Sequence, residues 1–381
     1  MLIGVPRETA LGETRVALTP ETAKKLKAQG HTLRVQAGAG LAASVTDQAY
    51  AAAGAEISDR AGAFAADLLL KVRAPFADEL ALIKPGTALV GMLNPFDRAG
   101  LDAMAAAGLT SFALEAAPRT TRAQSMDVLS SQANIAGYKA VMIAADRYQR
   151  FFPMLMTAAG TVKAARVVIL GVGVAGLQAI ATAKRLGAVI EASDVRPSVK
   201  EQVESLGAKF IEVSYDTPEE KQAAEGVGGY AKPMPPSWLA RQQLEVAKRV
   251  AAADIVISTA LIPGRAAPTL VTEEMVMAMK PGSVIVDIAA GKGAVNADGS
   301  VGGNCPLSEA DKTVVKHGVT IVGETNLPAL VAADSSALYA RNVLDFLKLV
   351  LAKDAPAITV PLDDDIVAAC LMTQGGDVKR K

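Results

Sequence analysis

Residues 166–188, RVVILGVGVAGLQAIATAKRLGA, contain the pattern that decides the fold of this chain. A run of apolar, mostly β-branched residues leads directly into Gly171, Gly173 and Gly176, and a helical pattern follows. A strand, a glycine-rich turn and a helix in this order are typical of a doubly wound α/β domain that binds a dinucleotide. In that geometry the first glycine permits a tight turn, the second admits a pyrophosphate, and the third lets helix and strand pack closely. The alternative is that these glycines are purely structural.

An acidic residue after the next predicted strand favours the binding interpretation. Asp194 closes that strand, 18 residues after Gly176. A carboxylate at this point accepts hydrogen bonds from the adenosine ribose and repels a 2′-phosphate, so the sequence predicts NAD(H) as the cofactor. Arg196 leaves NADP(H) open, because a nearby arginine can accommodate the additional phosphate.

Composition narrows the class of protein. The chain has 381 residues, which predicts about two domains at roughly 100–200 residues each. Apolar residues make up 51% and charged residues 20%, which is typical of a globular protein. The 39 basic and 39 acidic residues cancel, so no nucleic-acid partner is expected. Cys305 and Cys370 are too few for a disulfide framework and no Cys/His cluster has zinc spacing, so we expect no metal and a reducing compartment.

The sequence also predicts a cytoplasmic protein with no membrane span of its own. Met1 leads directly into LIGVPRE, which lacks the basic start and apolar stretch of a secretory signal. The longest apolar run, Val167–Ala183, contains three glycines together with Gln178 and Thr182. A membrane span needs about 20 predominantly apolar residues, so we interpret this run as a buried strand, turn and helix.

Short β-branched runs alternate with helical stretches over residues 1–110, and a second such series begins at Arg166. This alternation predicts parallel strands with crossover helices. We therefore expect an α/β protein with two doubly wound Rossmann-like domains and a cleft between them. The N-terminal domain would comprise residues 1–137 plus 328–381, with the last helix, 335–351, packing back on it. The NAD(H)-binding domain would comprise residues 138–327 and begin with a connecting helix.

Two polar segments are further candidates for chemistry. The segment 119–130, RTTRAQSMDVLS, reads most simply as a loop and helix start, but Arg119 and Gln124 could instead reach a nicotinamide, with Asp127 and Ser130 at its ribose. The segment 225–236, EGVGGYAKPMPP, reads either as a surface loop or as a lid that contacts nucleotide through Tyr230 and Met234.

Three segments together resemble one family over nearly the whole chain. They are PRTTRAQSMDVLSSQANIAGYKAV at 118–141, GVGVAGLQAIATAKRLGA at 171–188 with DVRPSVKEQVESLGAKF at 194–210, and GGYAKPM at 228–234 with STALIPG at 258–264. The chain resembles the alanine dehydrogenase and transhydrogenase superfamily. Within it, the chain is most similar to the soluble NAD(H)-binding alpha subunit, or domain I, of proton-translocating NAD(P) transhydrogenase.

The resemblance implies roles for individual residues. Gln124 would lie nearest the hydride, and Arg119, Asp127 and Ser130 would complete the catalytic set. The implied cofactor-binding residues are Arg119, Thr120, Arg122, Gln124, Ser130, Gly171, Gly173, Val174, Gly176, Asp194, Val195, Arg196, Gly229, Tyr230, Gln242 and Leu261.

The resemblance also implies partners. NADH would pass hydride directly to NADP⁺ held by a separate beta subunit, coupled to proton translocation by membrane-bound subunits. The chain itself would be a homodimer, peripheral on the cytoplasmic face of the inner membrane. Two departures from the family are an apparent insertion at Gly293–Val301 and the pair Pro235-Pro236 beside the predicted lid.

Alanine dehydrogenase is the nearest alternative within the superfamily. Arg15 and Lys71 match that enzyme's substrate-binding positions, but Met92-Leu93-Asn94 stands where its catalytic histidine would be, and Ala290-Gly291-Lys292 where its catalytic aspartate would fall. Oxidation of an amino acid must remove a proton and needs such a group, whereas hydride transfer between two nicotinamides does not. A third interpretation, an NAD-sensing binding module, has no output domain in the sequence to support it.

Overall fold

The computed structural model describes residues 1–225, 234–262 and 264–380, and its elements fall into two units. Unit 1 comprises Met1–Gln132 together with Pro328–Lys381, and unit 2 comprises Ala133–Leu327. Both units are mixed α/β and are built on sheets of mainly parallel strands, which confirms the predicted fold class.

Residues 1–132 alternate strands with short helices. The strands are β1 (Leu2–Val5), β2 (Thr32–Gln36), β3 (Glu56–Ser58), β4 (Leu68–Arg73), β5 (Ala88–Met92) and β6 (Thr110–Ala113), and the helices are α1 (Pro20–Ala28), α2 (Asp47–Ala52), α3 (Arg60–Phe64), α4 (Ala77–Leu80) and α5 (Arg98–Ala106). The start of α1 follows from sequence, because the Thr19 side chain accepts a hydrogen bond from the Thr22 amide and Pro20 occupies the first turn. Helix α6 (Val128–Arg147) continues from unit 1 into unit 2.

Residues 133–327 add a hairpin and a second α/β series. The strands are β7 (Leu155–Thr157), β8 (Gly160–Val162), β9 (Arg166–Leu170), β10 (Val189–Ser193), β11 (Lys209–Phe210), β12 (Ile255–Ser258), β13 (Val284–Asp287), β14 (Thr313–Lys316) and β15 (Val319–Val322), and the helices are α7 (Val174–Arg185), α8 (Lys200–Ser205), α9 (Pro218–Glu225), α10 (Pro236–Ala252) and α11 (Glu273–Ala278). The last stretch of the chain forms α12 (Ala332–Val350), α13 (Asp365–Cys370), β16 (Leu371–Gln374) and β17 (Asp377–Val378).

The sheet of unit 1 has the order β17-β16-β6-β5-β4-β1-β2-β3 among the described residues. Its six N-terminal strands are parallel and follow the doubly wound order 3-2-1-4-5-6. Alternate residues of each strand enter different cores. In β4, for example, Leu68 and Leu70 pack in one hydrophobic cluster while Leu69 packs in another.

The C-terminal segment of unit 1 differs in one respect from the expectation. Helix α12 packs in the core of this unit as predicted, through Tyr339, Val343 and Phe346. The chain then adds β16, antiparallel to β6, and β17, antiparallel to β16. These short edge strands were not foreseen, because LMTQ and DV are too short to carry a strand pattern.

The sheet of unit 2 has the order β11-β10-β9-β12-β13-β15-β14 in the described portion of the chain. It is parallel apart from β14, which pairs antiparallel with β15. Apolar residues on its two faces form separate cores, with Val167 and Ile169 of β9 in one and Val168 and Leu170 in the other. No helix within the described residues combines the length and apolar content that a membrane crossing needs.

Candidate functional site

The strand order of unit 2 reverses between β9 and β12. β10 pairs with one side of β9 and β12 with the other, so the connections diverge at this point. In open α/β sheets the crevice beyond the carboxyl ends of such strands is the usual ligand site. The glycine loop, residues 171–176, leaves β9 at this position.

The three glycines of the loop have three different environments. Gly171 has a φ of +89°, which side chains disfavour, and a Cβ there would lie 2.9 Å from Thr259 Oγ1. A Cβ at Gly173 would meet no described atom within 4 Å, so the backbone there faces open space. A Cβ at Gly176 would lie 2.1 Å from the Gly171 carbonyl oxygen. The loop therefore has a tight turn, an open amide and a close helix–strand contact in the order that a pyrophosphate site needs.

Helix α7 begins at Val174, directly after the open position. Its first amide groups have no partner within the helix, and the helix dipole places partial positive charge there. An anionic pyrophosphate at this end would satisfy both. The same helix packs tightly on α6, because a Cβ at Gly137 would lie 2.1 Å from the Ala175 carbonyl oxygen.

Asp194 follows β10 and already has a full set of hydrogen bonds. Its Oδ1 accepts from the amide and Nε of Arg196, at 2.8 and 2.9 Å, and its Oδ2 accepts from the Val172 amide at 2.7 Å and from Arg196 Nη2 at 2.9 Å. A carboxylate offers about four lone-pair positions, and all of them are used here. Asp194 therefore fixes the glycine loop through Val172, and a ribose hydroxyl would have to displace a bond from Arg196.

Loop 259–268 forms the second wall of this edge and was underestimated from sequence. Thr259 donates its hydroxyl to the Gly171 carbonyl at 2.8 Å and its amide to Leu170 O at 2.8 Å. Its hydroxyl thus locks the loop after β12 to the turn after β9. The signal in sequence was a threonine directly after an apolar strand, in STALIPG.

The other predicted cofactor residues of unit 2 lie near this edge. Gln242 donates Nε2 to Ser193 Oγ at 3.3 Å, beside the end of β10. Val195 is half-buried and packs on a small cluster that contains Trp238, while Leu261 is exposed. Val174 opens α7.

The predicted lid is only partly within the described residues. Gly229 and Tyr230 lie outside them. Met234, which the sequence suggested as a nucleotide contact, is buried against Ala224 and Trp238, and the Trp238 ring stacks on Tyr215 with ring centroids 5.5 Å apart. Met234 therefore packs in a small core.

In unit 1 the segment 119–130 contains a 3₁₀ helix at Thr121–Met126. Ala123 and Met126 are buried and hold it to the core, whereas Gln124 is exposed. Asp127 caps the start of α6, accepting from the amide of Ser130 at 2.9 Å and from its hydroxyl at 2.5 Å. Thr120 is exposed and Arg119 is likewise on the surface. The buried face thus orients the segment while Gln124 is presented to solvent.

Arg122 has a structural partner inside unit 1. Its Nη1 and Nη2 donate to the two carboxylate oxygens of Asp364 at 2.6 and 2.8 Å, and Nη2 also contacts Asp365. Asp364 itself caps α13, accepting from the Ile366 amide. These bonds lower the pKa of Asp364 to about 2. A nucleotide phosphate would have to compete with this pair for Arg122.

The corresponding strand-order reversal of unit 1, between β1 and β4, holds buried ion pairs. Lys71 lies between Glu8 and Glu79, at 3.3 and 3.2 Å, and all three side chains are almost fully buried. Arg15 donates Nε and Nη2 to Glu13, both at 2.7 Å, and Nη1 to Gln132 at 2.7 Å. Both cations that match alanine dehydrogenase positions thus have carboxylate partners within the unit.

The turn after β5 is where alanine dehydrogenase would place its histidine. Here Asn94 has a φ of +54°, and the amides of Leu93 and Asn94 donate to Glu115 at 3.1 and 2.6 Å. Burial raises the pKa of Glu115, although these amides partly oppose the shift. The turn therefore presents an amide side chain, which cannot accept a proton at neutral pH.

These observations fit a dinucleotide at the edge of unit 2. The open amide at Gly173, the start of α7 and the carboxylate of Asp194 match the pyrophosphate and ribose of such a ligand. Within the described residues no group of three or more His, Cys, Asp or Glu side chains has the arrangement of a metal site. The fold and this edge define a protein of the Rossmann-like, dinucleotide-binding α/β class.

Comparison with protein families gives the particular group. Residues 4–136 match the model described as "Alanine dehydrogenase/PNT, N-terminal domain", and residues 140–381 match "Alanine dehydrogenase/PNT, C-terminal domain". The chain belongs to the alanine dehydrogenase/PNT family, which confirms the resemblance seen in the sequence.

Individual relatives are similar over almost the whole chain. The first of the two polypeptides of NAD(P) transhydrogenase subunit alpha of Rhodospirillum rubrum is 50% identical, with 99% of this chain and 97% of that protein covered. Alanine dehydrogenase of Bacillus subtilis is 30% identical, with 99% and 92% covered. Among solved structures, transhydrogenase from Sinorhizobium meliloti matches with a TM-score of 0.88 and 46% identity, covering 99% of this chain and 100% of that one. An L-alanine dehydrogenase matches with a TM-score of 0.79 and 26% identity, covering 99% and 96%.

Proposed function

We propose that this chain is the NAD(H)-binding alpha subunit of an NAD(P) transhydrogenase, and that it passes hydride between NADH and NADP⁺ held by a partner subunit. The observation that carries the proposal is the 50% identity to a transhydrogenase alpha subunit over 99% of the chain, against 30% to an alanine dehydrogenase. The open glycine loop of unit 2 supplies the physical basis for nucleotide binding.

We assign the adenosine and pyrophosphate to unit 2. The amides around Gly173 and the start of α7 would hold the pyrophosphate, and Asp194 would accept from the ribose. Val174, Val195, Arg196, Gln242 and Leu261 border this edge, and Gly229 and Tyr230 are retained from the family resemblance.

We assign the dihydronicotinamide to the segment 119–130. Gln124 is exposed on a 3₁₀ helix whose buried residues hold it in place, so its amide can orient a carboxamide. Arg119, Asp127 and Ser130 complete this set, with Thr120 and Arg122 beside them. Asp127 contributes by fixing Ser130 at the start of α6.

The chemistry asks for positioning and not for proton transfer. The bound nicotinamides supply the hydride and its acceptor, and no proton is released in the exchange. Gln124, Ser130 and Arg119 offer an amide, a hydroxyl and a guanidinium, and the turn at Asn94 offers no base. What the chain supplies is therefore a fixed donor geometry and exclusion of water.

Partners follow from the name of the relatives and from one surface. A subunit alpha implies further subunits, and we propose an NADP(H)-binding beta subunit together with membrane subunits that couple hydride transfer to proton translocation. The chain would then be cytoplasmic and peripheral on the inner membrane. The hairpin β7–β8 supports a homodimer, because an isolated two-stranded hairpin is marginal in water and Met154, Leu155 and Met156 beside and within it are exposed.

Two assays on the purified chain separate this proposal from an amino-acid dehydrogenase. Fluorescence titration should show NADH binding by the chain alone. Hydride transfer from NADH to an NADP⁺ analogue should appear only after membranes containing the partner subunits are added. Reduction of NAD⁺ with alanine by the chain alone would overturn the proposal and favour the alternative.

Gln124→Asn tests the nicotinamide assignment. The substitution keeps the amide but shortens the side chain by one methylene, and a misplacement of roughly 1 Å can cost about 100-fold in rate. We expect hydride transfer to fall ~100-fold while NADH affinity stays within ~3-fold. Stopped-flow transfer in the subunit complex is measured beside equilibrium binding. An affinity loss as large as the rate loss would make Gln124 a binding residue only.

A further inference from the structure

A buried carboxylate of unit 2 has no part in the assignments above. Asp287 ends β13 and is completely buried. Its Oδ1 accepts from Ser258 Oγ at 3.1 Å, the Ala289 amide at 3.0 Å and the Asn304 amide at 3.3 Å. Its Oδ2 accepts from the Cys305 amide at 2.9 Å and Ser308 Oγ at 2.8 Å. Five neutral donors surround this group, which ties together the ends of β12 and β13 and the chain at 304–308.

The approach of that chain segment is very close. A Cβ at Gly303 would lie 2.3 Å from Asp287 Oδ2 and 2.7 Å from the Ala289 carbonyl, so only glycine fits there. Such a fixed contact is unnecessary for closing a surface loop, since long loops are tolerated at small entropic cost. It fixes the residue that comes next, Asn304.

Every polar group of the buried Asn304 side chain is directed at loop 259–268. Its Oδ1 accepts from the Ala260 amide at 3.0 Å, and its Nδ2 donates to the Ala260 carbonyl at 2.9 Å and to Pro268 O at 2.8 Å. Asn304 thus holds both backbone groups of Ala260 at once. An aspartate of the same shape could not do so, because it lacks the two donors.

Ala260 in turn stands against the glycine loop. A Cβ at Gly171 would lie 3.0 Å from the Ala260 amide nitrogen and 2.9 Å from Thr259 Oγ1. Thr259 also donates to the Gly171 carbonyl at 2.8 Å. A continuous series of contacts therefore runs from Asp287 through Asn304 and Ala260 to the first glycine of the loop.

We propose that Asn304 is a positioning residue for the dinucleotide site, which sets loop 259–268 against the glycine loop, and that buried Asp287 holds Asn304 in place. This inference rests on the proposed NAD(H) site of unit 2. Asn304 acts on nucleotide through Ala260 and Gly171. Loss of its two donors should therefore weaken nucleotide binding without unfolding unit 2.

The decisive variant is Asn304→Asp, compared with Asn304→Ala and wild type. At about pH 8.5 the new carboxylate would face the Ala260 and Pro268 carbonyls, so NADH affinity should fall ~30-fold, against ~10-fold for Asn304→Ala. A buried carboxyl beside acceptors has a raised pKa, and its protonated form regains one donor. Towards about pH 6 the affinity of Asn304→Asp should therefore recover to within ~3-fold of wild type.

Controls separate positioning from general damage. The adjoining titratable groups, Asp287 and the Cys305 thiol, whose pKa burial raises to about 12, are present in all three proteins and are corrected by wild type and Asn304→Ala. Asp254→Ala removes a bond to the Arg166 amide at the opposite end of the same sheet, and it should lower stability without changing NADH affinity. Trp238, the chain's single tryptophan, reports whether unit 2 is folded.

The outcomes are distinct. If wild type does not bind NADH, the proposed function itself fails. If wild type binds and both Asn304 variants bind within ~2-fold of it, or if Asp254→Ala loses as much affinity as they do, the positioning role is wrong. Should Asn304→Asp fail to fold, Thr259→Val removes the bond to Gly171 with no change of shape. An affinity loss of ~10-fold in that variant is expected, and unchanged affinity would overturn the proposal.

Discussion

The two units place very different chemistry at the same point of the same topology. Both sheets reverse their strand order at a pair of parallel strands, β1 and β4 in unit 1 and β9 and β12 in unit 2. In unit 1 that point is filled by buried side chains of opposite charge, with Lys71 between Glu8 and Glu79. In unit 2 it carries glycines whose backbone faces open space at Gly173.

The difference shows that topology offers a site and side chains decide its use. Buried charges that are paired with one another satisfy themselves and mainly set stability and its dependence on pH. Free backbone amides at a helix start remain available to an anion. Substitutions at the edge of unit 1 should therefore change stability, and those at the edge of unit 2 should change nucleotide affinity.

The largest effect is expected from Gly176→Ala, with Gly173→Ala as its matched partner. At Gly176 the new Cβ would lie 2.1 Å from the Gly171 carbonyl, so the helix must move and NADH affinity should fall ~100-fold with a loss of stability of about 2 kcal/mol. At Gly173 the Cβ meets no described protein atom within 4 Å, so stability should stay within about 1 kcal/mol while NADH affinity falls ~10-fold or more.

Urea unfolding followed by Trp238 fluorescence and NADH titration measure these two quantities on each variant. Equal stability losses in the two variants would contradict the geometry of the loop. Wild-type NADH affinity in Gly173→Ala would show that no ligand approaches that amide.

Glu13→Gln tests the edge of unit 1. Burial alone would raise the pKa of Glu13, but hydrogen bonds and charges from Arg15 and the charge of Arg73 lower it to about 2. A folded-state pKa below the unfolded value means stability that is present above about pH 4.5 and lost as the pH falls towards about 2. The variant should lose about 3 kcal/mol near pH 7 and lose that component of the acid dependence.

Hydrogen exchange of unit 1 peptides measures this change, while Trp238 fluorescence follows unit 2 as an internal control. NADH affinity of the intact variant should be unchanged at neutral pH. A variant as stable as wild type at neutral pH, with the same acid dependence, would show that Glu13 is not held by Arg15 in solution.

The same contrast explains what could be predicted from sequence. The glycine loop, Asp194 and the alternation of strands and helices are local patterns, so the α/β class and this edge could be anticipated. The pairing of Glu8 with Lys71, separated by 63 residues, depends on long-range contacts that no spacing reveals. The edge strands β14, β16 and β17 and the hairpin β7–β8 were missed because short runs carry little periodicity.

The contacts of Arg196 and Arg122 show the same limit. From sequence each arginine is a candidate nucleotide contact, because nothing local says what its guanidinium meets. In the structure Arg196 pairs with Asp194 two residues away, and Arg122 pairs with Asp364 at a separation of 242 residues. Carboxylate partners had to be found in three dimensions.

Asp194→Ala should have a smaller effect than the glycine variants. It removes the predicted ribose acceptor and the bond to the Val172 amide, so NADH affinity should fall ~10-fold, as for a charged hydrogen bond. Asp194→Asn is the matched control, because its amide oxygen can still accept from Val172 while the charge is lost. If only the loop contact matters, Asn restores wild-type affinity, and the ribose assignment is then wrong. Fluorescence titration with NADH measures both variants.

The smallest effect is expected from Arg196→Ala, and it separates two roles for that residue. Arg196 uses its Nε and Nη2 on Asp194, so its removal frees acceptor positions for a ribose and leaves the carboxylate charge uncompensated. NADH affinity should stay within ~3-fold of wild type, while the preference for NADH over NADPH should rise about 3-fold, because the bare carboxylate repels a 2′-phosphate more strongly. Arg185→Ala, at the exposed last turn of α7, removes the same charge away from Asp194 and should leave the preference unchanged. Titrations with both nucleotides at one ionic strength measure the ratio, since exposed charges are screened by salt. A ~10-fold loss of NADH affinity in Arg196→Ala alone would instead mean that the guanidinium leaves Asp194 and binds the nucleotide itself.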